Sequence, residues 1–149
     1  MSSKNNIEKI RAFNRLYMPF MNLLGNNYLG SEYSITEARI FFEIYENEGC
    51  NAAYIAKIMN IDKSYLSRII KAHEEKGYIS RVPSTIDRRS YSLFLTTEGK
   101  QRAKKFIKDS NKEIGNILQR LSDKDEECFV NAIDTIIKIL SKEKGGDLQ

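Results

Sequence analysis

The ten residues Asp62-Lys-Ser-Tyr-Leu-Ser-Arg-Ile-Ile-Lys71 admit few structures. On a helix of about 100° per residue, Leu66, Ile69, Ile70 and His73 fall within about 60° of one direction, while Ser64, Arg68, Lys71 and Glu75 point the opposite way. One face suits a core; the other offers hydroxyls and cations. Asp62 is placed to cap this helix, its carboxylate accepting orphan amide protons at the positive end of the helix dipole. The helix then begins at Lys63 and presents its polar face from the first turn. Upstream, Asn51-Ala-Ala-Tyr-Ile-Ala-Lys-Ile-Met-Asn60 reads as a shorter helix capped by Asn51, with Ile55, Ile58 and Met59 inward and a break at Asn60-Ile61. Two helices joined by a tight turn predict a helix-turn-helix.

Gly77 ends the second helix as a C′ residue that tolerates the left-handed conformation. Tyr78-Ile-Ser-Arg-Val-Pro83 and Ser90-Tyr-Ser-Leu-Phe-Leu-Thr96 are rich in β-branched and aromatic residues, and the polar stretch Ser84-Thr-Ile-Asp-Arg-Arg89 between them suits a hairpin tip. The tip carries Arg88 and Arg89. A helix-turn-helix followed by a basic hairpin predicts a winged helix, one helix entering the major groove and the wing reaching a phosphate or the minor groove. Gly49-Cys50 leaves room for only a very short third wing strand.

These residues resemble the MarR family of transcriptional regulators. The resemblance is carried by Leu66-Ser67-Arg68, Glu75-Lys76-Gly77-Tyr78-Ile79-Ser80-Arg81, Asp87-Arg88-Arg89, Leu95-Thr96 and Gly99. The family's wing pattern of Asp, any residue, Arg, five residues, Leu-Thr, two residues and Gly is met at every position. Arg11-Ala-Phe-Asn-Arg15, Thr36-Glu-Ala-Arg39 and Tyr65-Leu-Ser-Arg68 look like the branch whose members continue into a GNAT-type acetyltransferase, for which this chain is expected to be too short. The similarity covers residues 7–100 well and the last third only in helical character. It implies a homodimer on a pseudo-palindromic operator, a repressor rather than an activator, and a cleft between the dimer helices and the reading domain that takes a small aromatic or anionic effector.

The charge is uneven. Residues 63–105 hold eleven Lys or Arg against four acidic residues, net +7, and the rest of the chain holds thirteen against sixteen, net −3. A basic half with helix-turn-helix spacing points to double-stranded DNA rather than a membrane surface. No apolar run approaches the ~18 residues of a membrane span and the start of the chain is polar, so a cytoplasmic protein without membrane contact is expected. Cys50 and Cys128 fit neither a metal spacing nor a disulfide framework and are expected to be structural. The lone histidine, His73, lies on the apolar face, and no paired-carboxylate, Ser-His-acid or phosphate-loop set can be assembled. No enzyme, metal site or cofactor is therefore expected.

The fold class expected is mostly α with a small β-hairpin wing, a winged helix-turn-helix with long N- and C-terminal dimerisation helices. The whole chain, 1–149, is read as one domain, with a DNA-binding part over about 34–100 and dimerisation helices over about 4–30 and 101–144. In the first helix, Ile7, Ile10, Phe13, Leu16, Tyr17, Phe20, Met21 and Leu24 repeat at three and four residues, with a kink or a restart at Pro19. The next helix starts in Ser34-Ile-Thr-Glu37, with Ser34 or Thr36 as cap, and runs to about Glu48. A long helix from Thr96 to about Leu121 is followed by one opening at Ser122, striped by Phe129, Ile133, Ile136, Ile137 and Leu140. Gly145-Gly146 is expected to end it, leaving Asp147-Leu-Gln149 as a mobile tail.

The stripes of Ile7, Ile10 and Phe13 and of Phe129, Ile133, Ile136, Ile137 and Leu140 exceed what one small module can cover, which points to a two-fold dimer interface. Lys63, Ser64, Tyr65, Ser67, Arg68 and Lys71 are the expected contacts to the major groove or its phosphates, with Arg81, Arg88 and Arg89 from the wing. Tyr65 sits between the two faces and could equally be packing. Asp87 is expected to shape the wing by pairing with Arg81 or Arg89, without touching DNA. Phe13, Arg15, Tyr17 and Phe42 could line an effector cleft or be core. The alternative function is a winged-helix interaction module whose basic face docks an acidic protein.

Overall fold

The computed structural model describes residues 3–147, with side chains over 3–143. Its elements are α1 (Lys4–Phe20), a 3₁₀ turn at Tyr28–Gly30, α2 (Ile35–Glu46), α3 (Ala52–Met59), α4 (Lys63–Glu75), β1 (Ile79–Pro83), β2 (Tyr91–Leu95), α5 (Thr97–Gln119) and α6 (Asp123–Asp147). This is the mostly helical class with a two-stranded antiparallel hairpin. No helix among the described residues is long and apolar enough to cross a membrane. The chain divides into two compact units, one running to Asn111 and the other from Lys112.

Helix starts follow side-chain acceptors. The Tyr65 amide donates to Asp62 Oδ2 at 2.9 Å and the Tyr54 amide to Asn51 Oδ1 at 2.8 Å. Ser34, not Thr36, caps α2 in a complete capping box with Glu37. Each such cap is worth about 1 kcal/mol. Between α3 and α4, Asn60 adopts φ 51°, which lets the chain turn sharply without a glycine. α4 ends in a Schellman turn: the Tyr78 amide donates to the His73 carbonyl and the Gly77 amide to that of Glu74, with Gly77 at φ 82°.

The two strands pair with Ile79 opposite Leu95, Arg81 opposite Leu93 and Pro83 opposite Tyr91. In place of a third strand there is a two-bond rung, the Gly49 amide donating to the Leu93 carbonyl and the Leu93 amide to the Cys50 carbonyl, both at 2.8 Å. The core gathers Ile40, Phe41 and Ile44 from α2, Ile55 from α3, Leu66 and Ile70 from α4, Ile79, Leu93 and Leu95 from the wing, and Phe106 from α5. His73 is buried in it beside the rings of Tyr33, Phe41 and Tyr78, with Nε2 2.8 Å from Glu37 Oε2. Burial lowers its pKa although the Glu37 carboxylate pulls the other way.

Three boundaries depart from expectation. α1 neither kinks nor restarts at Pro19 but closes one residue later, the Met21 amide reaching the Tyr17 carbonyl and the Leu23 amide that of Met18, with Asn22 at φ 54°. Leu24 therefore lies outside the helix. α2 stops at Glu46 rather than Glu48. α6 runs through Gly145 and Gly146 to Asp147, because glycine in a helix costs only about 1 kcal/mol and does not by itself end one. Leu148 and Gln149, the rest of the expected tail, lie outside the described residues.

In the second unit, the Asp125 amide donates to Ser122 Oγ at 3.1 Å, and Asp123, Asp125 and Glu126 occupy the first turn of α6, where the helix dipole favours them. Ile117 is buried, Phe129 and Ile133 are half-buried, and Ile136, Ile137 and Leu140 are exposed. α1, in the first unit, buries no residue; Ile7, Ile10 and Phe13 are exposed. Cys50 is half-buried with its thiol pushed up to about 11 by burial and by Glu43, whereas Cys128 lies exposed.

A Cβ at Gly99 would collide with the Tyr78 carbonyl, while one at Gly115 would meet nothing within 4 Å. Gly99→Ala is expected to cost about 1–3 kcal/mol by overpacking. Gly115→Ala, in a helix interior, should gain roughly 0.5–1 kcal/mol. Urea unfolding of the two variants checks both signs; a neutral Gly99→Ala would mean that this junction gives way.

Candidate nucleic-acid interface

The exposed face of α4 carries Lys63, Ser64, Tyr65, Ser67, Arg68 and Lys71. Tyr65 is 43% exposed, so it belongs to this surface and not to the packing. Lys63 and Ser67 line a groove of about 330 Å³ together with Arg81, Asp87, Arg89, Ser90 and Tyr91 of the wing and Asn51, Ala52 and Ala53 at the start of α3. Tyr65 and Arg68 line a neighbouring hollow with Glu37, Ile69, Ala72, His73 and Lys76. Ser64, Lys71 and Arg88 are exposed and line neither.

Lys63, Arg81 and Arg89 face Asp87 across the groove, and the first turn of α3 adds backbone amides at the positive end of its dipole. Asn51, Ala52 and Ala53 were absent from the expected contacts. The signal for them was the Asn51 cap itself, since a capped N-terminus on the polar side is an exposed set of amides.

Arg81, expected among the wing contacts, is tied to α4. Its Nε donates to Glu74 Oε2 at 2.8 Å and one of its terminal nitrogens to Glu74 Oε1 at 3.1 Å, and its guanidinium lies 4.8 Å from the centre of the Tyr91 ring. Glu74's carboxyl is held below its usual range by that hydrogen bond, and Arg81 is raised by the same partner. A bidentate, stacked arginine fixes a direction in a way a lysine cannot. Arg81 thus ties the base of the wing to the end of α4.

Asp87 is corrected in its partner. It makes no ion pair with Arg81 or Arg89 among the described residues; its Oδ1 accepts the backbone amide of Arg89 at 3.0 Å, and its carbonyl accepts that of Ser90. Ser84 Oγ accepts the amides of Ile86 and Asp87 on the other side of the tip. Local side-chain to backbone bonds therefore shape the turn, and they leave Arg88 and Arg89 exposed.

The expected effector cleft is compared with one cavity. A cavity of about 240 Å³ beside α2 is lined by Tyr28, Ile35, Ala38, Arg39, Phe42, Phe106, Ile107, Ser110 and Asn111. Of the four residues expected there, only Phe42 is present. Phe13, Arg15 and Tyr17 sit on α1, Phe13 and Tyr17 stacked on each other at 5.0 Å, and do not line it.

Residues 33–91 match the model of the MarR family. This segment is thus similar to the MarR family, whose members are transcription regulators, and the fold around it is like that of solved MarR winged-helix structures. Among sequence relatives, the HTH-type transcriptional repressor YetL of Bacillus subtilis is 30% identical over 87 residues, which are 58% of this chain and 52% of YetL. The chain spans about half the length of the curated relatives it matches. Among solved structures, Streptococcus pneumoniae FabT in complex with DNA aligns with a TM-score of 0.66 at 21% identity, covering 93% of this chain and 95% of FabT. A cysteine-to-serine mutant of MarR from E. coli complexed with operator DNA aligns with a TM-score of 0.71 at 19% identity, covering 91% and 99%.

The geometry at the wing tip separates a turn-forming from an ion-pairing Asp87. Asp87→Asn keeps the oxygen that accepts the Arg89 amide and is expected to leave its hydrogen exchange unchanged, whereas Asp87→Ala should speed that exchange by about tenfold, the loss of roughly one hydrogen bond. Equal effects from both variants would return Asp87 to a charge-pairing role.

Proposed function

We propose that this chain is a MarR-type transcriptional regulator that binds operator DNA sequence-specifically as a homodimer, represses, and is released by a small effector. The observation that carries the reading is the shared groove: hydroxyl and cationic side chains of α4, the amides of α3 and the wing cations converge on one exposed surface of one compact unit. Ser64, Ser67, Arg68 and Lys71 face the major groove or its flanking phosphates, and Arg88 and Arg89 reach the adjacent backbone or minor groove. Arg81 and Asp87 hold the wing in place. The YetL name and the DNA complexes of FabT and MarR support repression and DNA binding by analogy. Such a regulator works beside the genome, in the cytoplasm.

The dimer reading rests on Ile7, Ile10, Phe13, Ile136, Ile137 and Leu140, large apolar residues on α1 and α6 that remain exposed in the single chain. A reading part over about 34–100 and helical arms over about 4–30 and 101–144 divide the work between DNA contact and association. The effector reading rests on the cavity beside α2, apolar except for Arg39, Ser110 and Asn111. At about 240 Å³ it is below the usual range for drug-sized ligands, so it fits a single-ring anion.

Selection of bound sequences from random duplex DNA is expected to return an inverted repeat with half-sites about 10–10.5 base pairs apart. Against that site Arg68→Ala should lose about 1–3 kcal/mol. Replacing Arg88 and Arg89 together by Ala should make the log-log salt slope shallower by roughly two to four units. An unchanged slope would move the hairpin to the rival reading, in which the basic face docks an acidic protein.

Sedimentation equilibrium should report twice the 17.2 kDa chain mass at micromolar concentration. Ile137→Glu, which places a charge in the apolar seam, should give monomer or aggregate. A wild-type monomer throughout that range would remove the dimer.

A further inference from the structure

The cavity beside α2 and the wing share a carboxylate. Arg39, at the cavity wall, donates from Nε to Glu43 Oε1 at 2.7 Å, and Glu43 is 6% exposed whereas the Arg39 side chain is 47% exposed. No other cation pairs with Glu43 among the described residues. On its far side Glu43 holds the end of α2: Asn47 Nδ2 donates to the Glu43 carbonyl at 3.0 Å and to Oε2 at 3.4 Å. Asn47 in turn accepts a long 3.5 Å hydrogen bond from the Tyr54 hydroxyl of α3, and its carbonyl accepts the Cys50 amide. Two and three residues on from Asn47, Gly49 and Cys50 make the two-bond rung to Leu93 of β2.

We propose that the Arg39–Glu43 pair is a displaceable contact through which the cavity controls the wing. An aromatic carboxylate seated against Phe42 and Phe106 takes Arg39 from Glu43; Glu43, buried and without a cation, then loosens its hold on Asn47 and on the Gly49–Cys50 rung to Leu93. The inference rests on the effector reading of the cavity and adds the route by which it acts. The physical basis is that Arg39 has two alternative anionic partners. Its exposed guanidinium can turn toward a ligand at little cost, but Glu43 cannot reach water without disturbing the segment it anchors. Removing one partner of a buried pair is costly because it strands the other charge. The ligand's differential interaction with the paired and unpaired states supplies the shift. α3 and β2, at the two ends of the route, both line the groove between α4 and the wing.

The test uses amide hydrogen exchange at Gly49 and Leu93, which needs neither DNA nor a natural ligand. R39Q, which strands Glu43, is expected to speed exchange at both amides by about tenfold, within the range of ordinary coupling between sites. The double variant R39Q/E43Q removes the stranded charge and should return exchange to near the wild-type rate, a rescue that loss of packing at Arg39 would not produce. Should R39Q fail to fold, E43Q with benzoate as probe carries the question. Benzoate should speed the two amides in wild type and leave them unmoved in E43Q. Exchange in R39Q within twofold of wild type, a double variant as fast as R39Q, or an E43Q protein that answers benzoate like wild type would each overturn the proposal. Benzoate that leaves the resonances of Phe42 and Phe106 unshifted would sink the effector reading of the cavity instead, while the R39Q and R39Q/E43Q pair still decides whether the carboxylate couples to the wing.

Discussion

The position of the wing depends on the hydrogen bonds of Thr96. Its hydroxyl donates to the Gly77 carbonyl at 2.7 Å and accepts the Gly99 amide at 3.1 Å, and its own amide donates to the Tyr78 carbonyl at 3.1 Å. One residue thereby closes the end of α4, the base of the hairpin and the start of α5 into a single joint. Gly99 is required there because α5 leaves the joint with its first turn against the Tyr78 carbonyl, where a side chain has no room. The spacing from Leu95-Thr96 to Gly99 in the wing pattern is thus a geometric statement: a cap and, three residues on, a gap. Arg81 on Glu74 and Tyr91 adds a second tie on the opposite edge of the hairpin, so the wing leaves α4 held at two points rather than one.

Much of this was legible because it is local. Asp62, Asn51 and Ser34 cap helices within three residues of themselves, and the helical spacing of Leu66, Ile70 and His73 assigns the buried face of α4 without reference to anything else. The polar face could be read for the same reason: nothing in folding requires Ser64, Arg68 and Lys71 to share it. The partners of charged residues were less readable. Asp87 next to two arginines suggests an ion pair, but the wing tip is a tight turn whose amides are the nearest donors. Arg81 looks like one more basic contact until α4 and β1 are folded together and Glu74, seven residues earlier, meets its fork. The cleft residues on α1 do not line the cavity beside α2 for a related reason. A stripe at three- and four-residue spacing says that a face is apolar, and it does not say which element, or which other chain, meets it.

Burial also separates the single histidine from the exposed face of α4. His73 lies on the core side of α4, only five residues beyond Arg68, yet it is 1% exposed and bound to Glu37, whose other oxygen completes the α2 capping box. The Glu37 carboxylate therefore joins the start of α2 to the last turn of α4. Its His73 partner leaves Nδ1 without a hydrogen bond among the described residues. An imidazole so placed is favoured neutral, because charging it would add an ion to an aromatic enclosure. Its contribution is to the rigidity with which α4 is held on α2.

Buried or half-buried charge pairs contribute little net stability, since the desolvation of both ions offsets most of their attraction. Glu43 with Arg39 and Glu74 with Arg81 are better understood by what they position. A hydrophobic pair at either place would pack as well but would accept several orientations, whereas a carboxylate that must keep its donors fixes one. Glu74 uses this at the surface, where the fork of Arg81 sets the direction of the wing. Glu43 uses it inside, where the cost of losing its cation is greatest and the segment it anchors leads straight to β2. The same desolvation that makes Glu43 a poor source of stability makes it a sensitive one, because its environment changes the most when its single cation turns away.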